Sequence, residues 1–394
     1  MRDSGDMPAV TGPPVRIAFV SSHAQLGGSE RYLELLLERI DPHWVAGVVV
    51  LQDGPFVERL RERGLEVNVL PTPTRAGMLP AALRLRRLLL RQRPQLVHAN
   101  GVKAALMAGV ATLGTRIPVL WLKHDHALDG PLGRLIALRA RRVVGVSSSV
   151  VAALGSRLQS KIDVVPNGVA RPDVDRVAAR RLVTDLHGGP SAAPVVLVLA
   201  RLDPAKGHAD VIEIAPAVRD RWPEAQFLFV GADDAAHPTH PTRLQERARA
   251  LGLEDAVRFV GYYPGDAVTL IAGADILAVP SQAGTHGWHE GFGLVGVEAL
   301  WVGTPVVGYA DGAFPEVLGD SALLVPVGDR EALTRSILAL LEDRELRERL
   351  VASGRQRAQQ RYDVDQWIAT LEQRYRSVAV EGRARGLGGV RTVA

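Results

Sequence analysis

The chain has 394 residues, 47% of them hydrophobic, a formal net charge of +4 and no cysteine. This length favours two domains and this composition a folded chain rather than a disordered one, and without thiols there are neither disulfides nor thiolate metal centres. No apolar run approaches the roughly 18–20 residues that span a bilayer. The polar start, residues 1–14, lacks the apolar core of a signal peptide and reads as a disordered leader, so a cytoplasmic location is expected. The basic excess lies in residues 1–190 and the rest is net acidic, which points the first half toward an anionic partner. Aromatic residues are only 5% and none interleaves with the arginine clusters, which favours a membrane surface over nucleic acid.

In chain order, Val15–Val20 is a first strand, followed by Gly27-Gly28-Ser29-Glu30 and an apolar helix pattern through Leu33, Leu36, Leu37 and Ile40. The glycine pair lets backbone approach a ligand closely, and Ser29 is the expected N-cap. Val45–Leu51 and Leu65–Leu70 are strands flanking a helix at Phe56–Arg63. Residues 81–93 and 131–142 are basic amphipathic segments. Leucine-packed helices with solvated arginines are the simpler reading, and peripheral attachment to a membrane is the functional one. Between them, the strand Ile117–Leu122 ends in Lys123-His124-Asp125-His126. Open α/β sheets bind ligands at the C-terminal ends of their strands. Metal binding by His124 and His126 lacks an evident third ligand; a structural hydrogen-bonding role and a site role both stand, with His124 at the strand tip as the candidate. Val143–Ser147 and Ile162–Val169 close this half, and Pro166-Asn167-Gly168 stops the last strand. Residues 173–193 turn polar and read as a linker, with room for a short helix at Val177–Leu186.

Strands resume at Val195–Ala200, followed by Arg201-Leu202-Asp203-Pro204-Ala205-Lys206-Gly207 before a helix. Two cations on a turn that enters a helix can clamp a diphosphate, Arg as a bidentate fork and Lys as a mobile charge. Later strands are expected at Phe227–Gly231, Val257–Gly261, Ile276–Val279, Pro305–Gly308 and Leu323–Pro326, with closing helices at Glu331–Arg349 and Val364–Val378. After Ile276–Val279 comes a glycine-rich turn with Glu290, then an apolar helix from Leu294 that contains Glu298. Free backbone N–H groups at a helix N-terminus hold anions, whereas carboxylates repel phosphate and accept from sugar hydroxyls. A sugar joined to a phosphate satisfies both. Asp173-Val174-Asp175 and Asp363-Val364-Asp365 fall in the linker and at a helix start, and neither is read as a metal site.

Together Gly27-Gly28-Ser29-Glu30, His124, Val165-Pro166-Asn167-Gly168-Val169, Arg201-Leu202-Asp203-Pro204-Ala205-Lys206-Gly207 and Glu290 with Glu298 resemble family 4 of the retaining nucleotide-sugar glycosyltransferases, over about residues 15–375. The resemblance implies an α/β chain of GT-B fold, two Rossmann-like doubly wound domains facing across a cleft. Its bounds would be an N-terminal domain at 15–172, a linker at 173–193, a nucleotide-sugar domain at 194–360, a helix at 361–380 that crosses back, and a disordered tail at 381–394. It implies that Arg201 and Lys206 hold the donor diphosphate and stabilise the leaving group without metal or cofactor. Glu298 would bind ribose, and Glu290 the donor sugar. Gly291, Phe292, Gly293 and Leu294 would offer backbone to the donor, joined by Gly27 and Gly28, and Val260-Gly261-Tyr262 would meet the base. His124 would lie by the donor sugar and acceptor. The expected reaction is hexosyl transfer from a nucleotide-sugar to a sugar, lipid-linked or natural-product acceptor, with retention. Trp288 and His289 crowd the position before Glu290 and shape the sugar pocket or pack as loop. A glycoside phosphorylase or disaccharide synthase of the same fold, and a non-catalytic carbohydrate-binding or membrane scaffold, are the rival readings.

Overall fold

Every residue of Ile17–Ser21 (β1) is buried, as a strand covered on both faces requires. A computed structural model describes residues 14–72, 74, 77–283 and 289–387. In chain order β1 is followed by Gly28–Arg39 (α1), Val45–Val50 (β2), Pro55–Glu62 (α2), Val67–Val69 (β3), Met78–Gln92 (α3), Leu96–Asn100 (β4), Val102–Ala111 (α4), Val119–Lys123 (β5), Pro131–Arg139 (α5), Arg142–Gly145 (β6), Ser148–Ala152 (α6) and Ile162–Val164 (β7). The strands form one parallel sheet in the order β3-β2-β1-β4-β5-β6-β7. Register sets Ser21 opposite Asn100, and Asn100 opposite Leu122, so β1, β4 and β5 end side by side.

The central strand β4 escapes the sequence reading. It is short, and His98 and Asn100 interrupt its apolar run, yet both are buried. Ser29 does not cap α1 either; Gly27 stands at the N-cap, and the Ser29 hydroxyl donates to Glu30 Oε2 at 2.9 Å.

The second unit, Val169–Val364, runs Arg176–His187 (α7), Val195–Leu199 (β8), His208–Arg219 (α8), Gln226–Val230 (β9), His240–Ala250 (α9), Val257–Gly261 (β10), Ala267–Gly273 (α10), Ile276–Val279 (β11), Leu294–Val302 (α11), Val306–Tyr309 (β12), Phe314–Leu318 (α12), Leu323–Val325 (β13), Arg330–Glu342 (α13) and Arg344–Arg361 (α14). Its parallel sheet has the order β10-β9-β8-β11-β12-β13. Core side chains such as Val196, Val198, Phe227 and Ile276 pack against α8 and α13 residues including Val211, Ile212, Leu333 and Ile337. Residues 173–193 are no free linker. Asp175 accepts from the Val177 and Ala178 amides, which caps α7, and α7 packs on α10 with Ala179 and Val183 buried. Gly188, in the left-handed conformation, ends it.

Asp365 onward belongs with the first unit, within Val364–Leu387 (α15). Trp367, Leu371, Tyr375 and Val378 recur at helical spacing and are buried. A Cβ on Gly168 would meet the Trp367 side chain at 2.7 Å, so only glycine lets the two lie this close. The tail expected from residue 381 is instead helical through Leu387, because Glu381 pairs with Arg141 at 2.7 Å and Arg142 at 3.0 Å. Residues 388–394, the leader 1–13 and Trp288 lie outside the described residues. Among the described residues no helix is long and apolar enough to cross a membrane.

Candidate active site

In the second unit, the turn between β8 and α8 carries the two expected cations. Gly207 takes φ +70°, and a Cβ there would come within 2.0 Å of the Pro280 carbonyl oxygen, so the turn requires glycine. Closing it this way aims Lys206 at the segment after β11, where its ammonium donates to Glu290 Oε2 at 2.8 Å. Both side chains are largely shielded from water, at 16% and 15% exposure. The Ser281 hydroxyl contributes a longer contact to the same oxygen, at 3.5 Å.

The buried carboxylate of Asp311 anchors Glu290 from behind. It accepts from the Glu290 amide at 3.2 Å and lies 2.7 Å from His289 Nδ1, while the Ala313 amide donates to the Glu290 carbonyl. Asp311 and Ser281 were not anticipated: Asp311 follows β12 and Ser281 follows β11, positions whose only signal is a polar residue at a strand's C-terminal end. Helix α11 then opens at Gly293, φ +80°, where a Cβ would strike the Phe314 ring at 2.3 Å. The Leu294 and Val295 amides that open it precede the first helical hydrogen bond, which Gly296 makes to the Gly293 carbonyl. Phe292 turns inward to pack edge-on against Tyr362. Leu294 begins the helix and Glu298 sits buried in its second turn.

Arg201 is half-exposed. Its guanidinium donates to Asp234 Oδ1 at 2.7 Å and lies 3.6 Å from Asp203. Asp234 also meets His237 Nδ1 at 2.8 Å; burial pushes its pKa upward, but His237, the Arg201 charge and the Ala236 amide together bring it below the usual carboxylate value. Asp203, Asp234 and His237 are close enough together to ligate a cation, but Arg201 and His237 already take the two Asp234 oxygens. Val260 and Gly261 end β10, and Tyr262 beyond it is 61% exposed.

In the first unit, the adjacent ends of β4 and β5 bring Asn100 to His124. His124 Nε2 lies 2.6 Å from Asn100 Oδ1, and Asn100 Nδ2 donates to the Ser29 carbonyl. That second bond fixes the amide orientation, so the oxygen faces the histidine. An amide oxygen only accepts; Nε2 therefore carries the proton and Nδ1 of the neutral ring is an acceptor. Burial lowers the His124 pKa to about 4, helped by the neighbouring Lys123 charge and opposed by Asp125. The ring packs edge-on against Tyr32. Asn100 is thus a residue missed together with its strand. His126 lies apart from this pair, 3.2 Å from Asp129 and 3.0 Å from the Ser149 hydroxyl. Buried Lys123 pairs with Asp129 at 2.7 Å. Gly27 and Gly28 open α1, with the buried Glu30 carboxylate beneath them; its pKa is raised by desolvation.

Comparison with known proteins accords with this architecture. The family model "Glycosyltransferase Family 4" matches residues 26–171, and "Glycosyl transferases group 1" matches residues 187–357. The 2-deoxystreptamine N-acetyl-D-glucosaminyltransferase of Streptomyces fradiae is 34% identical over 79% of this chain and 77% of its own length. The phosphatidyl-myo-inositol mannosyltransferase of Mycobacterium leprae is 36% identical over 55% of this chain and 54% of its own. Among solved structures, Anabaena HepE in complex with UDP and glucose superposes with a TM-score of 0.80 at 24% identity, covering 92% of this chain and all of that one. The chain belongs to glycosyltransferase family 4, with the GT-B fold, and is a retaining nucleotide-sugar glycosyltransferase.

Proposed function

We propose that the second unit holds the nucleotide-sugar through Lys206, Arg201, Glu290, Glu298 and the amides that open α11, and that no metal takes part. The observation that carries this is the 2.8 Å pair of Lys206 and Glu290 beside a helix N-terminus. An ammonium has three donors. One stays on Glu290, which holds the ammonium charge toward the departing diphosphate as the anomeric C–O bond breaks. Arg201, oriented by Asp234, adds a second positive charge to the leaving group. Glu290 keeps its remaining lone pairs for donor-sugar hydroxyls, Glu298 accepts from ribose, and Val260-Gly261-Tyr262 meets the base. In the first unit, Gly27 and Gly28 present backbone, and His124, held neutral by burial and oriented by Asn100, receives an acceptor hydroxyl at Nδ1.

The acceptor we propose is a cyclitol, free or lipid-linked. Both relatives named above act on one, 2-deoxystreptamine or phosphatidyl-myo-inositol. The lipid-linked form is supported by the surface of the first unit. Helices α3 and α5 both pack against α4 and leave Leu79, Leu83, Leu90, Leu132, Leu135 and Leu138 exposed. Arg84, Arg87, Arg91, Arg134 and Arg139 stand among them. Leucines that reach acyl chains beside arginines that meet anionic headgroups make an interfacial docking face, so we place the enzyme peripherally on the inner leaflet.

The test is a thermal-shift panel of UDP, GDP, ADP and their sugar conjugates, with and without EDTA, followed by product analysis with inositol and 2-deoxystreptamine. Stabilisation by one nucleotide, unchanged by EDTA, and a glycosylated cyclitol are the expected results. Turnover that requires free phosphate or a free aldose instead would replace this reading with the phosphorylase or disaccharide-synthase one.

A further inference from the structure

At the end of α11 opposite Gly293, the second unit holds a cavity of about 380 Å³, a size typical of small-molecule sites. Nine helical residues separate the two ends of α11, about 13 Å at ~1.5 Å per residue, so this is not the donor site. Arg171, Asp173, Arg176, Trp301, Arg355 and Gln359 are among its lining residues.

Two features mark the lining. First, Arg176 and Arg355 converge on one acceptor, the Val302 carbonyl that ends α11; Arg355 Nη2 reaches it at 3.4 Å. One cation suffices to complement a helix C-terminus; the second adds like-charge repulsion. Desolvation and then the Arg355 charge lower the Arg176 pKa, with Asp275 opposing. Among the described residues no guanidinium of Arg171, Arg176 or Arg355 is ion-paired, and Asp173 is the one acid in the lining. Second, Trp301 is in the lining, and among the described residues its indole N–H, closed off from solvent, has no hydrogen-bond partner.

Clustered guanidinium groups without a carboxylate partner have one complement, a compact group with several anionic oxygens. We propose that this cavity binds the phosphoryl group of a small phosphorylated metabolite, with the guanidinium groups on its oxygens and the carbon skeleton against Trp301. None of these residues belongs to the proposed transferase site.

The test uses the full chain labelled with 5-fluorotryptophan, with the Trp301 resonance assigned through Trp301→Phe. Glucose 6-phosphate and inorganic phosphate are the probes and glucose is the control. The expected result is a saturable shift of the Trp301 resonance with both phosphates and none with glucose. Arg355→Gln weakens it about tenfold, as loss of one charge-assisted hydrogen bond predicts; Arg176→Gln/Arg355→Gln abolishes it, and Lys206→Ala leaves it unchanged. No shift, an equal shift with glucose, an undiminished shift in the single variant with its fluorine spectrum otherwise intact, or a shift lost in Lys206→Ala would each overturn the proposal. The single variant keeps Arg176 on Val302, so the test survives if the double variant does not fold.

Discussion

Lys206 and Glu290, 84 residues apart in sequence, share a hydrogen bond of 2.8 Å because Gly207 folds one turn back against Pro280 while Asp311 holds the other segment by its backbone. The pair separates two roles that are chemically opposed, cation for the phosphate and carboxylate for the sugar.

Lys206→Ala is expected to weaken nucleoside-diphosphate binding by about 1.5–3 kcal/mol, the range of a hydrogen bond to a charged group, as read by calorimetry. Glu290→Gln keeps the shape and removes the charge, so it is expected to lower kcat by about 10²-fold, the low end for lost transition-state contacts, with a smaller change in affinity. Unchanged kinetics in both variants would remove these residues from the site.

Gly207→Ala is expected to destabilise the chain by about 1–3 kcal/mol, the usual range for a strained backbone position. Its φ of +70° and the 2.0 Å approach to the Pro280 oxygen leave no room for a methyl group. Urea unfolding measures this, and a wild-type midpoint would mean that the turn relaxes freely.

Histidines set a pH dependence of stability. Burial lowers the pKa of His98 to about 3 and of His124 to about 4, against an ordinary value of 6.5. Both stay neutral in the fold, while the unfolded chain takes up protons below 6.5. Stability is therefore full above that value and falls as pH drops from 6.5 toward 4, by up to about 1.4 kcal/mol per pH unit for each histidine. Urea midpoints measured across this window check the slope, and His98→Gln/His124→Gln is expected to reduce it, leaving the share of His208, whose pKa burial likewise lowers to about 3. If the double variant keeps the wild-type slope, other groups are responsible.

Leu135→Ser/Leu138→Ser removes two leucines that are 62% and 59% exposed, and so leaves the core intact. Binding to phosphatidylglycerol-containing vesicles is expected to fall about tenfold or more, because burying each leucine contributes up to about 1.5–3 kcal/mol. Thermal stability should not change. Co-sedimentation at low and high salt gives the measurement; equal binding by both proteins would assign the leucines no part in docking.

Much of this was legible in the sequence, and unevenly so. Strands such as Val195–Leu199, buried from both sides, announce themselves as apolar runs, and glycine turns mark where they stop. Lys206 and Glu290 are candidates because charge on such turns stands out, and Glu298 because it is the one charge in an apolar helix. Asn100 did not, because its strand contains His98, whose ring nitrogen lies 2.8 Å from the Tyr375 hydroxyl. That partner comes from a helix 277 residues later, and no local pattern encodes it. Asp311 and Asp234 were missed for the same reason. Their meaning lies in what the chain brings beside them, an amide in one case and Arg201 in the other. Within residues 173–193 the short helix is legible at Val177–Leu186 but its packing is not, because the partner, α10, lies far along the chain.

Helix α15 has a consequence for biosynthesis. The first unit is discontinuous: Tyr375 meets His98, and Glu381 pairs with Arg141 and Arg142. A ribosome therefore releases all of the second unit before the first can be completed. During translation the earliest-made part of the chain is the last to finish, and it waits with the surfaces that Trp367, Leu371 and Tyr375 will cover open to chaperones.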